Sequence, residues 1–260
     1  MSTNSRQFLE TLLLGQEDAR PINDLNKVIE NQKDTIKSIW NNTNYRDFGL
    51  ERLLRLGLAL LYFATPGFWV RVLSQKLGII GRKLSIEVYV LAKLFLPIVF
   101  FAFKLANNWL VAIISGVMIL ETLHYLATLI FISTEFVKPI SYRRSLVLLF
   151  INYMEICLNY AVIYACCNVK ILPFFKYPIH SAIEAIYFSF ATSATVGYGD
   201  IVVVHPLGQI LVITQIILFL VVVALFLNFF ASKVQDLSYY NTNLKFKPGS
   251  KWQNSEPESK

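Results

Sequence analysis

The sequence predicts an all-α membrane protein, and three observations carry that expectation. Of 260 residues, 55% are apolar and only 16% charged, with a mean hydropathy of +0.50; an ordinary soluble domain carries roughly 25% charge. The charge is unevenly placed, with 20 charged residues in 1–84, 8 in 233–260 and only 13 in the 148 residues between. Four stretches, about 85–104, 109–132, 145–167 and 207–231, each supply the roughly 20 apolar residues with which a helix crosses about 30 Å of hydrocarbon.

The polar head comes first. Between Asn23 and Trp40, the side chains of Leu25, Val28, Ile29, Ile36, Ile39 and Trp40 fall near one helix face, with Asn23 or Asp24 as N-cap. Leu12 to Leu14 is too short for a secretory signal core, so the first membrane helix is expected to target the chain. Residues 50–70 are uncharged from Leu56 to Val70, but Arg52, Arg55 and Arg71 bracket them and Pro66-Gly67 interrupts a helix. A helix in the inner interface with snorkelling Arg stems is expected there, in preference to a fifth span. A fifth span would carry Arg6, Arg20, Lys27, Lys33, Lys37, Arg46 and Arg52 to the outside, against the positive-inside rule.

With four spans, residues 1–84 and their 12 Lys/Arg share the cytoplasmic side with Lys138, Arg143 and Arg144. Both termini are then cytoplasmic, in a multi-pass protein of the plasma membrane. Topology accounts for the formal net charge of +7, and no nucleic-acid partner is called for. Membrane lipid is the other partner expected, with Arg52, Arg55, Arg71, Lys76, Arg82 and Lys83 available to anionic headgroups. The organisation reads as a cytoplasmic region (1–84), a two-helix peripheral membrane domain (85–132), a second membrane domain (133–232) and a short tail (233–260).

A further apolar stretch, about 180–194, is too short to span. It follows Tyr177-Pro178 and leads into a glycine-rich run, which describes a helix and loop that re-enter the same side of the membrane. Irregular backbone at that depth needs protein or water to satisfy its polar groups.

The run Thr195-Val196-Gly197-Tyr198-Gly199-Asp200, with Tyr187, Phe188 and Ser189 before it and Ile201 and Leu207-Gly208 after it, resembles the pore module of tetrameric potassium channels over about residues 140–232. The resemblance implies a potassium-selective channel built as a homotetramer, since one chain brings one loop and a ring of carbonyls needs four. Thr195, Val196, Gly197, Tyr198 and Gly199 would bind potassium ions as the permeant ligand. Asp200 would stand at the outer mouth, and Tyr187, Phe188 and Thr192 would support the filter from behind. No cofactor is implied. Gly197 and Gly199 supply dihedrals that let consecutive carbonyls face one axis.

Two departures from the family pattern have consequences. Ala191 stands where some relatives have a carboxyl partner for the filter aspartate, and Phe188 cannot donate to Tyr198, although Tyr187 can donate to Asp200. The last helix has neither Gly nor Pro from Gln209 to Ala231, so a sharp hinge is not expected. Gating falls instead to the filter, or to an apolar constriction around Leu225, Phe226, Phe229 and Phe230.

Lys93, Glu121, His124 and Glu155 lie inside predicted spans, where an unpaired charge is expensive. Antiparallel helices would bring Lys93 to Glu121 as an ion pair; a proton-sensitive cluster using His124 is the alternative. Asn152, Glu155 and Asn159 form one polar stripe, expected to hold helices together.

Neither early span has a column of basic residues, so strong voltage sensing is not expected. The chain after Lys233 offers too few residues for a regulatory nucleotide domain. Cys157, Cys166 and Cys167 share one apolar run and read as buried thiols rather than a disulfide scaffold. With His124, His180 and His205 they offer no metal spacing, and no nucleophile motif suggests an enzyme. A subunit of a potassium transport system and a non-conducting regulatory or scaffold subunit remain as alternatives.

Overall fold

The computed structural model describes residues 28–41, 49–132 and 142–236. The expected N-caps Asn23 and Asp24, the loop residue Lys138 and the tail beyond 236 lie outside that part.

The head folds as α1 (Val28–Asn41) laid against α2 (Leu50–Leu61). Ile39 of α1 is buried with Ala59 of α2 and Ile132. Two bonds fix the pairing: Gln32 Nε2 donates to the Ala59 carbonyl at 2.8 Å, and Arg52 donates to the Trp40 carbonyl at 2.6 Å. Arg55 is buried, which corrects the expectation that its stem snorkels to the interface. The lipid-facing basic set loses that member.

After α2 the chain tightens into a 3-10 turn, Tyr62–Ala64, and Thr65 adopts an extended conformation. Pro66 then opens α3 (Pro66–Ser74) at its first position, where its missing N–H has no helical partner to lose. The axis bends by 64° at this break. Taken together, the bent pair is long and apolar enough to cross a membrane, so length and composition allow four spans or five.

The other four are α4 (Gly78–Ala102, apolar from Leu84), α5 (Trp109–Phe131), α6 (Tyr142–Lys170, apolar from Leu146) and α8 (Pro206–Asp236, apolar to Leu227). Between α4 and α5, Lys104 takes a left-handed φ of 56° and Asn108 caps α5, accepting from the Leu110 N–H at 3.0 Å. The short helix α7 (Ala182–Ser193) stands between α6 and α8.

Helix α6 is the hub, in contact with α4, α5, α7 and α8. Both its apolar faces and its polar stripe Asn152, Glu155 and Asn159 are buried among those neighbours. Leu149, Ile156, Tyr160, Ala161, Tyr164 and Cys167 belong to the main core. The three cysteines are free and buried. Helix α8 runs unbroken for 31 residues.

Candidate functional site: a short helix and its glycine loop

Local sequence sets both ends of α7. At the start, Ser181 accepts from the Glu184 N–H at 3.1 Å while Glu184 Oε2 accepts from the His180 N–H at 2.8 Å, a capping-box arrangement written as Ser-x-x-Glu. The His180 N–H chiefly holds the Glu184 carboxyl below its ordinary range. At the other end, the Val196 N–H reaches the Ala191 carbonyl and the Thr195 N–H the Thr192 carbonyl, both at 3.0 Å. This six-to-one, five-to-two pair is a Schellman closure, and it requires a left-handed residue where Thr195 stands. Thr195 has φ 54°.

The first residue of the loop is therefore also the terminator of the helix. Beyond it, Gly197 has φ 60° and Gly199 φ 79°, while Val196 and Tyr198 stay outside the positive region. Alternation of the sign of φ along five residues turns successive peptide units the same way, which lines donors on one side and carbonyls on the other. An ordinary strand alternates them.

Outside the loop, the Tyr187 hydroxyl donates to Asp200 Oδ2 at 2.7 Å, and the Ile201 N–H donates to Oδ1 at 2.9 Å. The Tyr187 bond chiefly holds the Asp200 carboxyl below its usual range. The Tyr187 ring also stacks on Tyr198, with centroids 6.2 Å apart and planes 10° from parallel. Phe188 points the other way, into an aromatic cluster with Tyr164 at 4.9 Å and Phe175 at 5.2 Å. Thr192, whose carbonyl closes the helix, is half-buried.

The flanking chain is anchored on both sides. Asn168 at the end of α6 exchanges two bonds with Ile179, its Nδ2 donating at 2.8 Å and its Oδ1 accepting at 3.2 Å. Phe175 and Val203 form an antiparallel bridge, with the Lys176 N–H on the Val202 carbonyl at 2.8 Å and the Val204 N–H on the Phe174 carbonyl at 3.0 Å. Gly208, in the first turn of α8, admits this layer: a Cβ there would stand 2.7 Å from the Phe174 ring.

Behind the loop lies a buried polar knot. Gln215 of α8 is 1% exposed. Its Nε2 lies 2.6 Å from Ser193 Oγ, 2.8 Å from Ser189 Oγ and 2.9 Å from the Ser189 carbonyl, and its Oε1 accepts from the Tyr164 hydroxyl at 2.8 Å. Ser189 Oγ donates onward to the Cys157 carbonyl at 2.6 Å. Sequence reasoning missed this knot. A polar residue in an otherwise apolar span was the available signal.

The intramembrane charges gather elsewhere, among α4, α5 and α6. Lys93 Nζ lies 3.6 Å from Glu121 Oε2 and 3.6 Å from Glu155 Oε2, and it donates to Thr122 Oγ1 at 2.6 Å. Thr122 donates to Glu155 at 2.6 Å, and Asn159 Nδ2 donates to Glu155 Oε1 at 2.8 Å. Glu121 also accepts from the Tyr89 hydroxyl at 2.6 Å and from the Gly67 N–H at 2.7 Å, which ties α5 to the first turn of α3. His124 Nε2 is 2.9 Å from the Leu58 carbonyl, and its ring stacks on Tyr62. Asn152 is buried and lines the adjoining cavity, about 80 Å³ in volume, together with Tyr62, Arg71, Lys93, Glu121 and His124.

Leu225 is the other correction. It is 4% exposed and belongs to the chain's own core beside Leu218 and Val222, and Phe226 packs partly against the same cluster. A residue held there is not free to line a constriction. The side chains of Phe229 and Phe230 lie outside the described part.

Residues 154–236, from within α6 to the end of α8, match the family model described as "Ion channel". No curated protein and no solved structure matches the chain significantly. The matched segment contains the short helix, the loop and the knot behind it. The match supports an ion-channel reading of this stretch, within an all-α protein that has four helices long and apolar enough to cross a membrane.

Proposed function

We propose that the chain is the subunit of a homotetrameric, potassium-selective channel that conducts passively across the plasma membrane, with both termini cytoplasmic and without strong intrinsic voltage sensing. The observation that carries this reading is the alternation of φ along Thr195, Val196, Gly197, Tyr198 and Gly199. A potassium ion leaves its water shell only for a cage of equally spaced oxygens, and a backbone with its carbonyls on one side supplies one edge of that cage.

Four copies complete it. A face of α8 marked by Ile210, Ile213, Ile217, Leu220 and Leu227 is exposed in the single chain, opposite the buried Gln215, Leu218, Val222 and Leu225. Ile183 and Tyr198 are likewise 78% and 70% exposed. Neighbouring copies that cover this surface would bring the four loops to one axis. The aligned carbonyls at the end of α7 favour a cation before the loop. Asp200, hydrogen-bonded by Tyr187, favours one beyond it.

Potassium efflux from liposomes holding the purified full chain, with sodium as the control ion, tests the reading. Potassium flux well above sodium flux is expected. An assembled protein that passes neither ion points to the scaffold alternative, and equal fluxes overturn selectivity.

A further inference from the structure

We propose that Gln215 is a positioning residue that locks the pore helix α7 to the inner helix α8, so that displacement of α8 acts directly on the filter and the filter is the gate. The inference rests on the channel reading above and adds to it a mechanism of regulation.

The geometry is specific to one amide. Gln215 has two N–H donors and meets three oxygens within 2.9 Å, all from α7, while its own carbonyl is taken by Tyr164 of α6. Three helices thus converge on one side chain that is 1% exposed. Ser193, the acceptor at 2.6 Å, lies two residues before Thr195, whose left-handed φ both closes α7 and begins the filter. A shift of α8 that drew the amide away would strand buried donors and acceptors with no water to replace them, which is the costly way to break a hydrogen bond. The cheaper response is for α7 to follow, and with it Thr195.

Two further features direct motion into the filter. Helix α8 is unbroken through this region, with no Gly or Pro from Gln209 to Ala231 to absorb a bend. Phe188 makes no polar contact behind Tyr198 but packs into the aromatic cluster. The filter's polar support in this chain therefore comes from Tyr187 at its outer end and from the Gln215 knot at its inner end.

The test measures potassium and sodium flux in liposomes for the wild-type chain and for Gln215→Met, Ser193→Ala and Tyr164→Phe, each at low and high external potassium. Size-exclusion elution in detergent checks assembly. Gln215→Met keeps the side-chain volume and removes every bond that Gln215 makes. Its potassium-to-sodium flux ratio is expected to fall about tenfold or more at low external potassium, a factor that one lost buried bond supplies. High potassium should restore it, because ions in the filter hold the filter's shape. Ser193→Ala and Tyr164→Phe should move the ratio in the same direction by less.

A wild-type ratio in assembled Gln215→Met, or a loss that high potassium does not restore, overturns the proposal while wild-type selectivity leaves the channel reading standing. If Gln215→Met does not assemble, the two milder variants decide by the same criteria. A wild-type chain that passes no potassium overturns the channel reading, and this inference with it.

Discussion

Thr195 is a β-branched residue held at φ 54°, a conformation such residues avoid. Strain of that kind persists only where the surroundings over-determine it, and here the Schellman closure of α7 does so. Asp200 shows the opposite economy, a charge stabilised by two donors, the Tyr187 hydroxyl and the Ile201 N–H. Its carboxyl sits below the ordinary range because the Tyr187 hydroxyl donates to it. A depressed carboxyl pKa means that the charge is present above the ordinary value and is lost only as pH falls through the lower, folded-state value. Tyr187→Phe removes the donor, raises the Asp200 pKa and should move the acid-side loss of potassium flux to higher pH. An acid titration of flux that is the same in both proteins would separate Asp200 from the conduction path.

At the scale of elements, the peripheral helices are joined by ions rather than by shape alone. Lys93 of α4 stands between Glu121 of α5 and Glu155 of α6, and Glu121 in turn holds the first turn of α3. A buried cluster of this kind adds little net stability when intact, but losing one member leaves charges uncompensated. Lys93→Met should therefore destabilise the folded chain by about 3–5 kcal/mol. The triple replacement Lys93→Met, Glu121→Gln, Glu155→Gln should recover much of that loss. Thermal melting in detergent checks both, and a Lys93→Met chain that melts like the wild type would show that the two carboxylates do not rely on the ammonium.

At the scale of the whole molecule, the proposed assembly draws on the exposed apolar side of α8. The row Ile210, Ile213, Ile217 and Leu220 recurs at spacings of three and four, which is one side of a helix, and its opposite side is core. Light scattering on the detergent-solubilised protein should give four chains per particle. Ile213→Asp with Ile217→Asp should reduce that number without unfolding the chain, because neither position contributes to its own core. Four chains per particle in the double variant would place the interface elsewhere.

Periodicity and length were enough to read the spans from the sequence, since twenty apolar residues in a row have few other uses. The break at Pro66 was legible for the same local reason, a missing N–H and a fixed φ. Gly197 and Gly199 announced their own dihedrals. Tertiary structure decided what no spacing encodes. It buried Arg55, set His124 on the Leu58 carbonyl, and put Leu225 in the core. It also gave Gln215 its partners, residues 22 to 51 positions away on two other helices. Local chemistry fixes where a helix starts, stops and spans, because those interactions reach only one turn along the chain. Which face of that helix meets which neighbour depends on how several helices pack at once, and only the folded chain determines it.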